Sequence, residues 1–380
     1  MTAKIPTAKR PTPAIDQRHM KAALGLARRG LGDVWPNPAV GCVLVRPDLG
    51  GRIVGRGWTQ PGGRPHAETE ALPRAGTLAR GATAYVSLEP CSHTGETDPC
   101  ASALIDAGVS RVVVAVTDPD ARVSGKGLAM LREAGLEVET GICAAEAQVV
   151  NEGFFNRIQK NRPLVSLKLA TTLDGCIATR TGESQWITGP AARQRGHLLR
   201  ARHDAIITGI GTVLADDPAM TCRLPGLASR SPIRTVLDSR ARLTSQSQLA
   251  ATAGDPPTWQ YTCIGAPTEN LGTTAIERCE VSADQNNQVD INAVLTDLAD
   301  RGITRALVEA GPGLSAGFLK SGTVDTLYWF RAPVVMGADG KSAAADIGVS
   351  DLADMAHFAL DATMPVGEDR LEIYSRRAAA

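Results

Sequence analysis

The sequence lacks an excess of charge of either sign, because its 40 Lys and Arg residues are balanced by 40 Asp and Glu residues. A polynucleotide binder usually carries a basic excess, since neutralising phosphates supplies most of its affinity. The sequence also lacks an apolar run of membrane-spanning length, and no apolar stretch follows the basic residues Lys4, Lys9 and Arg10. These absences favour small-molecule chemistry in the cytoplasm, with neither a nucleic acid nor a membrane as partner.

Eight cysteines are present, and in a reducing cytoplasm they serve as metal ligands, nucleophiles or core residues rather than as disulfides. A lone cysteine most often packs as a small hydrophobe. The cysteines to which we assign that role are Cys42, Cys143, Cys176, Cys222, Cys263 and Cys279. The other two, Cys91 and Cys100, lie in the segment EPCSHTGETDPC, where each directly follows a proline.

The length of 380 residues predicts two domains. From about Asp16, helix-like segments such as DQRHMKAALGLARRG alternate with strand-like segments such as ATAYVSLE and RVVVAV, which is typical of an α/β layer domain. A second series of the same kind begins with PLVSLKLATTLDG. The predicted divisions are a disordered tail at 1–15, a first domain at 16–160 and a second at 161–375, with exposed loops near 223–231 and 239–258.

An H-x-E pair, His66 and Glu68, stands upstream of Cys91 and Cys100. Zinc accepts imidazole nitrogen and thiolate sulfur, and a catalytic zinc keeps its fourth position for water. Zinc-dependent deaminases combine such ligands with a glutamate that does not bind the metal and that shuttles protons. We therefore predict a catalytic zinc ion held by His66, Cys91 and Cys100, with Glu68 as the proton carrier.

A structural zinc site is the alternative, and it requires a fourth protein ligand. His93 is a candidate, but it lies only two residues from Cys91, and this assignment leaves Glu68 without a role. The protein would then be a binding module rather than an enzyme.

Eight residues separate Cys91 from Cys100, whereas the common nucleoside and polynucleotide deaminases have two. This wide spacing, with PNPAVGCVLV, PHAE and CSHTGETDPC, resembles the deaminase half of the bifunctional riboflavin-biosynthesis deaminase/reductases. The resemblance continues through SLKLATTLDG, TGESQWITG, GTVLADDPAMTCR, TVLDS and VEAGPGLSAGFL in the second half. Two independent sets of motifs in the right order make the resemblance specific.

For the first half, the resemblance implies a three-layer α/β/α cytidine-deaminase-like domain. It would hydrolyse the 2-amino group of 2,5-diamino-6-(5-phosphoribosylamino)pyrimidin-4-one with a zinc-held hydroxide, and Glu68 would pass a proton to the departing nitrogen. Asn37, His93 and Asp118 match positions that bind the substrate, with Asp118 near the ribose. Without the resemblance, Asn37 and Asp118 are ordinary turn residues beside prolines.

Two residues depart from the family pattern in this half. Glu96 occupies a position commonly held by Lys or Arg, which leaves open what binds the substrate phosphate. Arg64 and Lys126 are the candidates that the sequence offers. Asp120 stands where the family often has a neutral polar residue near the sugar.

The second half is less informative without the resemblance. GIG at 209–211 is only a fragment of a dinucleotide fingerprint. EAGPGLSAG follows the strand-like segment RALVE, and such a glycine-rich turn either presents N–H groups to a phosphate or is a simple tight turn.

With the resemblance, the second half becomes a dihydrofolate-reductase-like α/β domain that uses NADPH to reduce the ribosyl group to ribityl. The implied cofactor-binding residues are Ala170, Trp186, Thr212, Asp216, Ser239, Gly311, Pro312, Gly313, Leu314, Ser315, Ala316 and Gly317. The implied substrate-binding residues are Lys168, Ser184, Arg200, Met220, Arg223 and Glu309. Lys168 ends an apolar strand, so it is suited to polarising or opening the sugar ring.

A second hypothesis keeps the deaminase but gives it a nucleic-acid base as substrate, with a degenerate second domain. The neutral net charge and the wide cysteine spacing argue against it. Domains of this kind often associate, so a homo-oligomer is a further expectation for this chain.

Overall fold

The computed structural model describes residues 12–93, 98–120, 124–267 and 270–377. Contacts between Cα atoms divide the chain into two compact units, residues 1–160 and 161–380. Across the described ranges, each helix is too short or too polar to cross a bilayer. Glu96, the departure from the family pattern named above, lies outside the described residues.

The first unit contains five helices and five strands within its described residues. The helices are α1 (Pro13–Ala27), α2 (Ala67–Ala75), α3 (Cys100–Asp106), α4 (Lys126–Glu133) and α5 (Ala144–Lys160). The strands are β1 (Gly41–Arg46), β2 (Arg52–Trp58), β3 (Thr83–Val86), β4 (Arg111–Val114) and β5 (Glu137–Thr140). They follow the alternation that the sequence predicts.

These strands form a single sheet in the order β2-β1-β3-β4-β5, in which β3, β4 and β5 are parallel. Leu44 and Val86 point to the face covered by α2, α3 and α4, whereas Val43 and Tyr85 point to the face covered by α1 and α5. Alternate strand residues thus enter two separate cores, because side chains of a strand point to opposite faces in turn. The three-layer α/β/α prediction is confirmed.

Helix α1 begins at Pro13, inside the tail predicted at 1–15. The prolines near the start favour an irregular segment, but proline is well tolerated in the first turn of a helix, where its missing N–H has no intrahelical partner. Residues 1–11 of that tail lie outside the described residues.

The second unit holds the remaining elements. The helices are α6 (Pro190–Arg200), α7 (Ile210–Asp216), α8 (Gln248–Ala251), α9 (Ile291–Asp300) and α10 (Pro312–Lys320). The strands are β6 (Leu164–Thr171), β7 (Cys176–Ala178), β8 (Ala205–Gly209), β9 (Ile233–Leu237), β10 (Thr258–Cys263), β11 (Glu277–Val281), β12 (Arg305–Val308), β13 (Thr326–Arg331), β14 (Lys341–Ser342), β15 (Phe358–Val366) and β16 (Asp369–Arg376).

Nine of these strands form one sheet in the order β11-β10-β9-β8-β12-β6-β13-β16-β15. The strands from β11 to β13 are parallel, and β16 and β15 add an antiparallel hairpin at one edge. The second unit is therefore an α/β domain, as predicted. The segment predicted as a loop near 239–258 contains the short helix α8. Ser247 caps this helix, because its hydroxyl accepts a hydrogen bond from the Ala250 N–H.

His203 is buried between α6 and β6, with 1% of its surface exposed. Its Nδ1 lies 2.7 Å from the Leu199 carbonyl oxygen and its Nε2 lies 2.9 Å from the Ser166 hydroxyl. A neutral ring satisfies both contacts, with Nδ1 donating and Nε2 accepting. Burial, with a smaller contribution from Arg305, lowers the pKa of His203 from 6.5 to about 3.

This lowered pKa predicts a loss of stability on acidification. The unfolded chain binds a proton at this imidazole below its ordinary pKa of 6.5, whereas the folded protein does not. The buried imidazole therefore costs no stability above pH 6.5. As the pH falls from there towards 3, the free energy of unfolding decreases. We expect the free energy of unfolding of the second domain, measured with urea, to decrease by roughly 2 kcal/mol between about pH 8 and about pH 5.

His203→Gln should remove most of this pH dependence, because glutamine does not titrate. His357→Gln is the matched control, since His357 is exposed, and it should keep the wild-type slope. An unchanged slope in His203→Gln would show that the buried imidazole is not its source.

Candidate functional site

The predicted metal ligands come together at one end of the first sheet. His66 is the N-cap residue of α2, Cys91 follows β3, and Cys100 is the first residue of α3. His66 Nδ1 lies 3.3 Å from Cys100 Sγ and 3.7 Å from Cys91 Sγ. The three ligand atoms all lie within 4.8 Å of one another.

These distances fit a tetrahedral zinc ion. Zn–S bonds of about 2.3 Å and Zn–N bonds of about 2.0–2.1 Å, at a tetrahedral angle, separate the nitrogen from each sulfur by about 3.6 Å. Among the described residues, this is the one cluster of at least three such side chains, and it does not include His93. The described ligand set therefore lacks the fourth protein donor of a structural site.

Glu68 lies in the first turn of α2, and only 3% of its surface is exposed. Burial raises the pKa of Glu68 to about 7. The neighbouring Cys91 accepts a hydrogen bond of 3.3 Å from the Cys100 backbone N–H. The pKa of Cys91 is lowered to about 4, first by the hydrogen bond from the Cys100 thiol. The site thus favours a thiolate at Cys91 beside a carboxyl group that can carry a proton near neutral pH.

The side chain of Asn37 packs closely against the backbone of Gly63. Gly63 has a φ of +85°, and a Cβ atom there would lie 1.9 Å from Asn37 Nδ2. Behind Asn37, the amide of Asn151 pairs with the backbone of Ala39, accepting from its N–H at 2.9 Å and donating to its carbonyl at 3.1 Å. Glycine at 63 and asparagine at 151 therefore fix the loop that carries Asn37.

Asp118 follows β4, and its loop is held by the buried carboxylate of Glu89. Glu89 accepts hydrogen bonds from the N–H groups of Asp118 at 3.3 Å, Gly125 at 3.0 Å, Gly127 at 3.0 Å and Leu128 at 3.3 Å. The carboxylate therefore satisfies the free N–H groups at the N-terminus of α4. The glutamate of the EPC motif thus has an architectural role that the sequence analysis did not assign.

Two of the metal ligands, His66 and Cys91, face one cavity of about 270 Å³, whereas Cys100 is buried behind them. The predicted residues on its wall are Asn37, His66, Glu68, Cys91, His93 and Asp118. Arg64 and Asp120 also line the cavity, whereas Lys126 is exposed and does not. Every predicted deaminase substrate residue thus lines the same cavity as His66 and Cys91.

One face of α5 completes this wall, and the sequence analysis did not predict it. Phe154, Arg157 and Ile158 all line the cavity. Their spacing of three and four residues places them on one side of the helix. That spacing in FFNRIQK was visible in the sequence, but nothing local indicates which element the face meets.

In the second unit, a cavity of about 390 Å³ collects most of the predicted reductase residues. The predicted substrate residues on its wall are Lys168, Ser184, Arg200, Met220, Arg223 and Glu309. The predicted cofactor residues on its wall are Ala170, Trp186, Thr212, Asp216 and Gly311. Trp186 leaves 66% of its surface exposed, so it is not the core residue that tryptophan usually is.

Ser239 and the residues after Gly311 do not line this cavity. The Ser239 hydroxyl donates to Gln288 Oε1 at 3.2 Å and accepts from the Val289 N–H at 2.9 Å. Residues 312–317 form the start of α10, which turns Ser315 and Ala316 into the protein interior. The helix therefore meets the cavity at Gly311, where no side chain caps its N-terminus.

Glu309 is the centre of a charged cluster in this cavity. Its carboxylate accepts a bidentate pair from Arg200, with Nε at 2.9 Å and Nη2 at 2.8 Å. Lys168 Nζ lies 3.9 Å from Glu309 Oε2. Burial alone would raise the pKa of Glu309, but the positive charges of Arg200 and Lys168 lower it to about 2. Glu309 is therefore an anion that holds two cations at the site.

Two family models match this chain. The cytidine and deoxycytidylate deaminase zinc-binding region matches residues 13–116, and the RibD C-terminal domain matches residues 163–369. The first match contains His66, Glu68, Cys91 and Cys100, and the second contains Lys168 and Glu309.

Similar proteins cover nearly the whole chain. The riboflavin biosynthesis protein RibD of Escherichia coli is 41% identical over 93% of this chain and 97% of that protein. RibD of Aquifex aeolicus is 39% identical over 95% of this chain and 99% of that protein.

Two solved structures share the complete fold. Acinetobacter baumannii RibD is 37% identical with a TM-score of 0.86, covering 97% of this chain and 100% of that chain. A diaminohydroxyphosphoribosylaminopyrimidine deaminase/5-amino-6-(5-phosphoribosylamino)uracil reductase from Thermotoga maritima is 32% identical with a TM-score of 0.84, covering 96% of this chain and 99% of that chain.

Proposed function

Since the chain belongs to the RibD family of riboflavin biosynthesis proteins, we propose which of its residues carry out each of two reactions. It is a bifunctional enzyme, with a deaminase and a reductase. We propose for it the substrates that name the Thermotoga maritima protein, a diaminohydroxyphosphoribosylaminopyrimidine and then the corresponding phosphoribosylaminouracil. The observation that carries the deaminase proposal is a cluster of three zinc-type ligands, two of which line one cavity together with the buried Glu68.

In the deaminase, His66, Cys91 and Cys100 would hold one zinc ion. Zinc bound there would act as a Lewis acid that makes a water molecule nucleophilic near neutral pH. Glu68 takes a proton from the attacking water on one oxygen and delivers it to the departing amino nitrogen, so that ammonia leaves. Its pKa of about 7 suits both transfers.

The side chains around this centre orient the substrate. Asn37 donates and accepts hydrogen bonds at the pyrimidine edge, which its fixed loop supports. His93 lies beside the ring, and Asp118 accepts from the ribose hydroxyls. The loop that carries Asp118 is held by Glu89, so the carboxylate is positioned before substrate binds.

In the reductase, Lys168 donates a proton from Nζ to the ribose ring oxygen. The C1′–O bond breaks as the exocyclic nitrogen forms a double bond to C1′, and C1′ then accepts a hydride, which gives the ribityl product. NADPH would supply that hydride, and the uncapped N-terminus of α10 at Gly311 fits one of its phosphates. Ala170, Trp186, Thr212 and Asp216 form the remaining cofactor wall.

The two arginines of this cavity have different roles in the proposal. Arg200 uses three of its donors on Glu309 and on the Thr221 carbonyl oxygen at 2.9 Å. Arg223 is exposed on the cavity wall, and we assign it the substrate phosphate, which a guanidinium fork matches. Arg200 therefore holds Glu309, which in turn positions Lys168.

A cytoplasmic location is part of the proposal, because thiolate ligands stay reduced there. Metal analysis combined with a coupled assay tests the whole function. We expect about one zinc per chain, ammonia release from the diaminopyrimidine phosphate, and NADPH oxidation only after that release. Full deamination by metal-free protein, or activity on RNA or DNA bases instead, would contradict it.

A further inference from the structure

We propose that Arg157, together with Arg64, binds the phosphate group of the deaminase substrate and makes this site selective for phosphorylated pyrimidines. The inference rests on the proposed function, which gives the substrate its phosphate. It concerns residues that lie in two separate segments of the chain, the turn before His66 and helix α5.

The charges on the cavity wall lead to this assignment. A phosphate monoester carries a charge of about −1.5 to −2 near neutral pH, so its site needs cations. The wall contains the carboxylates of Glu68, Glu89, Asp118 and Asp120. Among the described residues of that wall, its only Lys or Arg side chains are Arg64 and Arg157.

The other common phosphate site of an α/β domain is filled. A helix N-terminus binds phosphate through its free N–H groups, and α4 begins beside the loop of Asp118. Its N–H groups at Gly127 and Leu128 already donate to the Glu89 carboxylate. That carboxylate also repels an anion, so the N-terminus of α4 does not offer a phosphate site.

Arg157 is placed for this role by the face of α5 that it occupies. It lies one helical turn after Phe154, which is 8% exposed and packs into the first domain. The turn that carries Arg64 is held by the hydrogen bond from the Gln60 N–H to the Pro65 carbonyl at 3.0 Å. Two guanidinium groups from fixed backbone segments thus face one cavity, and each can bind phosphate oxygens in a bidentate manner.

This arrangement predicts an effect on substrate affinity that depends on the phosphate. We expect Arg157→Gln to raise the KM for the diaminopyrimidine ribosyl phosphate roughly 10- to 100-fold, with little change in kcat. The KM for the dephosphorylated riboside should stay at its wild-type value. Steady-state ammonia release with both compounds measures the difference.

Lys160→Gln is the matched control, because it removes the same charge from an exposed position of the same helix. It should leave both KM values unchanged, and Arg157→Lys should recover part of the lost affinity. Zinc content reports that the variant domain is folded. Inorganic phosphate should compete with the phosphorylated substrate in the wild type and compete more weakly in Arg157→Gln.

Equal effects of Arg157→Gln on both compounds, or no effect on either, would overturn the inference. If Arg157→Gln lacks zinc, Arg157 is required for folding, and Arg157→Lys becomes the deciding variant. An Arg157→Lys protein with normal zinc content and no phosphate-dependent change in KM would then overturn the inference. A wild-type protein that deaminates neither compound would instead refute the proposed function, and the inference would fall with it.

Discussion

Glu68→Gln should lower the deaminase kcat by roughly 10²- to 10⁴-fold while the zinc content stays at the wild-type level. The amide has nearly the same shape as the carboxyl group, but it cannot take a proton from water and return it to the departing nitrogen. Glu68 is not a member of the ligand cluster, so zinc binding does not require its charge. Ammonia release and elemental analysis of the same sample measure both quantities.

The second domain supplies an internal control for this experiment. Reduction of the deaminated substrate by Glu68→Gln should proceed at the wild-type rate, because it uses Lys168 and Glu309 in a separate cavity. Glu70→Gln is the matched control variant, since Glu70 lies on the same helix and pairs with Arg74 outside the cavity. Undiminished deamination with zinc still bound would show that Glu68 is not the proton carrier.

The metal cluster could be predicted because each ligand is marked by its own short motif. His66 begins a helix after Pro65, and Cys91 and Cys100 each follow a proline at the start of a new segment. Parallel strands place the residues that follow them at one edge of the sheet. The end of β3 therefore brings Cys91 to the same edge where β4 brings Asp118.

The contribution of α5 could not be predicted in the same way. The helix itself follows from the sequence, but the position of Arg157 at the cavity depends on how α5 packs across α1 and the sheet. No short motif connects Arg157 with His66, which lies far from it in sequence. Tertiary packing alone decides this contact.

Ser239 shows the opposite case, in which a residue matches a motif but does not line the reductase cavity. The resemblance of the segment TVLDS, which ends the strand β9, implies that Ser239 binds the cofactor. Its hydroxyl instead bonds Gln288 and Val289, which come from a loop before α9. The partner of a hydroxyl at a strand end is set by the loop that packs over it, and sequence spacing does not reveal that loop.

In the cluster around Glu309, the ion pair with Arg200 is distinct from Lys168, the proposed proton donor. Arg200 meets Glu309 through two short hydrogen bonds, whereas Lys168 lies 3.9 Å away, beyond hydrogen-bond range. Glu309 therefore remains paired when Lys168 is removed, and a buried uncompensated charge is avoided. A variant of Lys168 can test proton donation without dismantling the site.

Lys168→Met should lower the reductase kcat by roughly 10²- to 10⁴-fold, because no other group in the proposal donates a proton to the ring oxygen. Methionine keeps the length and the apolar stem of lysine. Deamination in the first domain should be unchanged, and binding of NADPH, measured by fluorescence titration, should remain close to the wild type. NADPH oxidation with the deaminated substrate measures the loss.

Lys168→Arg distinguishes proton donation from simple charge. The guanidinium keeps the positive charge near Glu309 but does not give up a proton under these conditions, so this variant should be as inactive as Lys168→Met. Lys320→Met, at the exposed end of α10, controls for the loss of a lysine from the same domain. Recovery of reduction in Lys168→Arg would mean that Lys168 acts only as a charge, and that the ring opens by proton transfer from water.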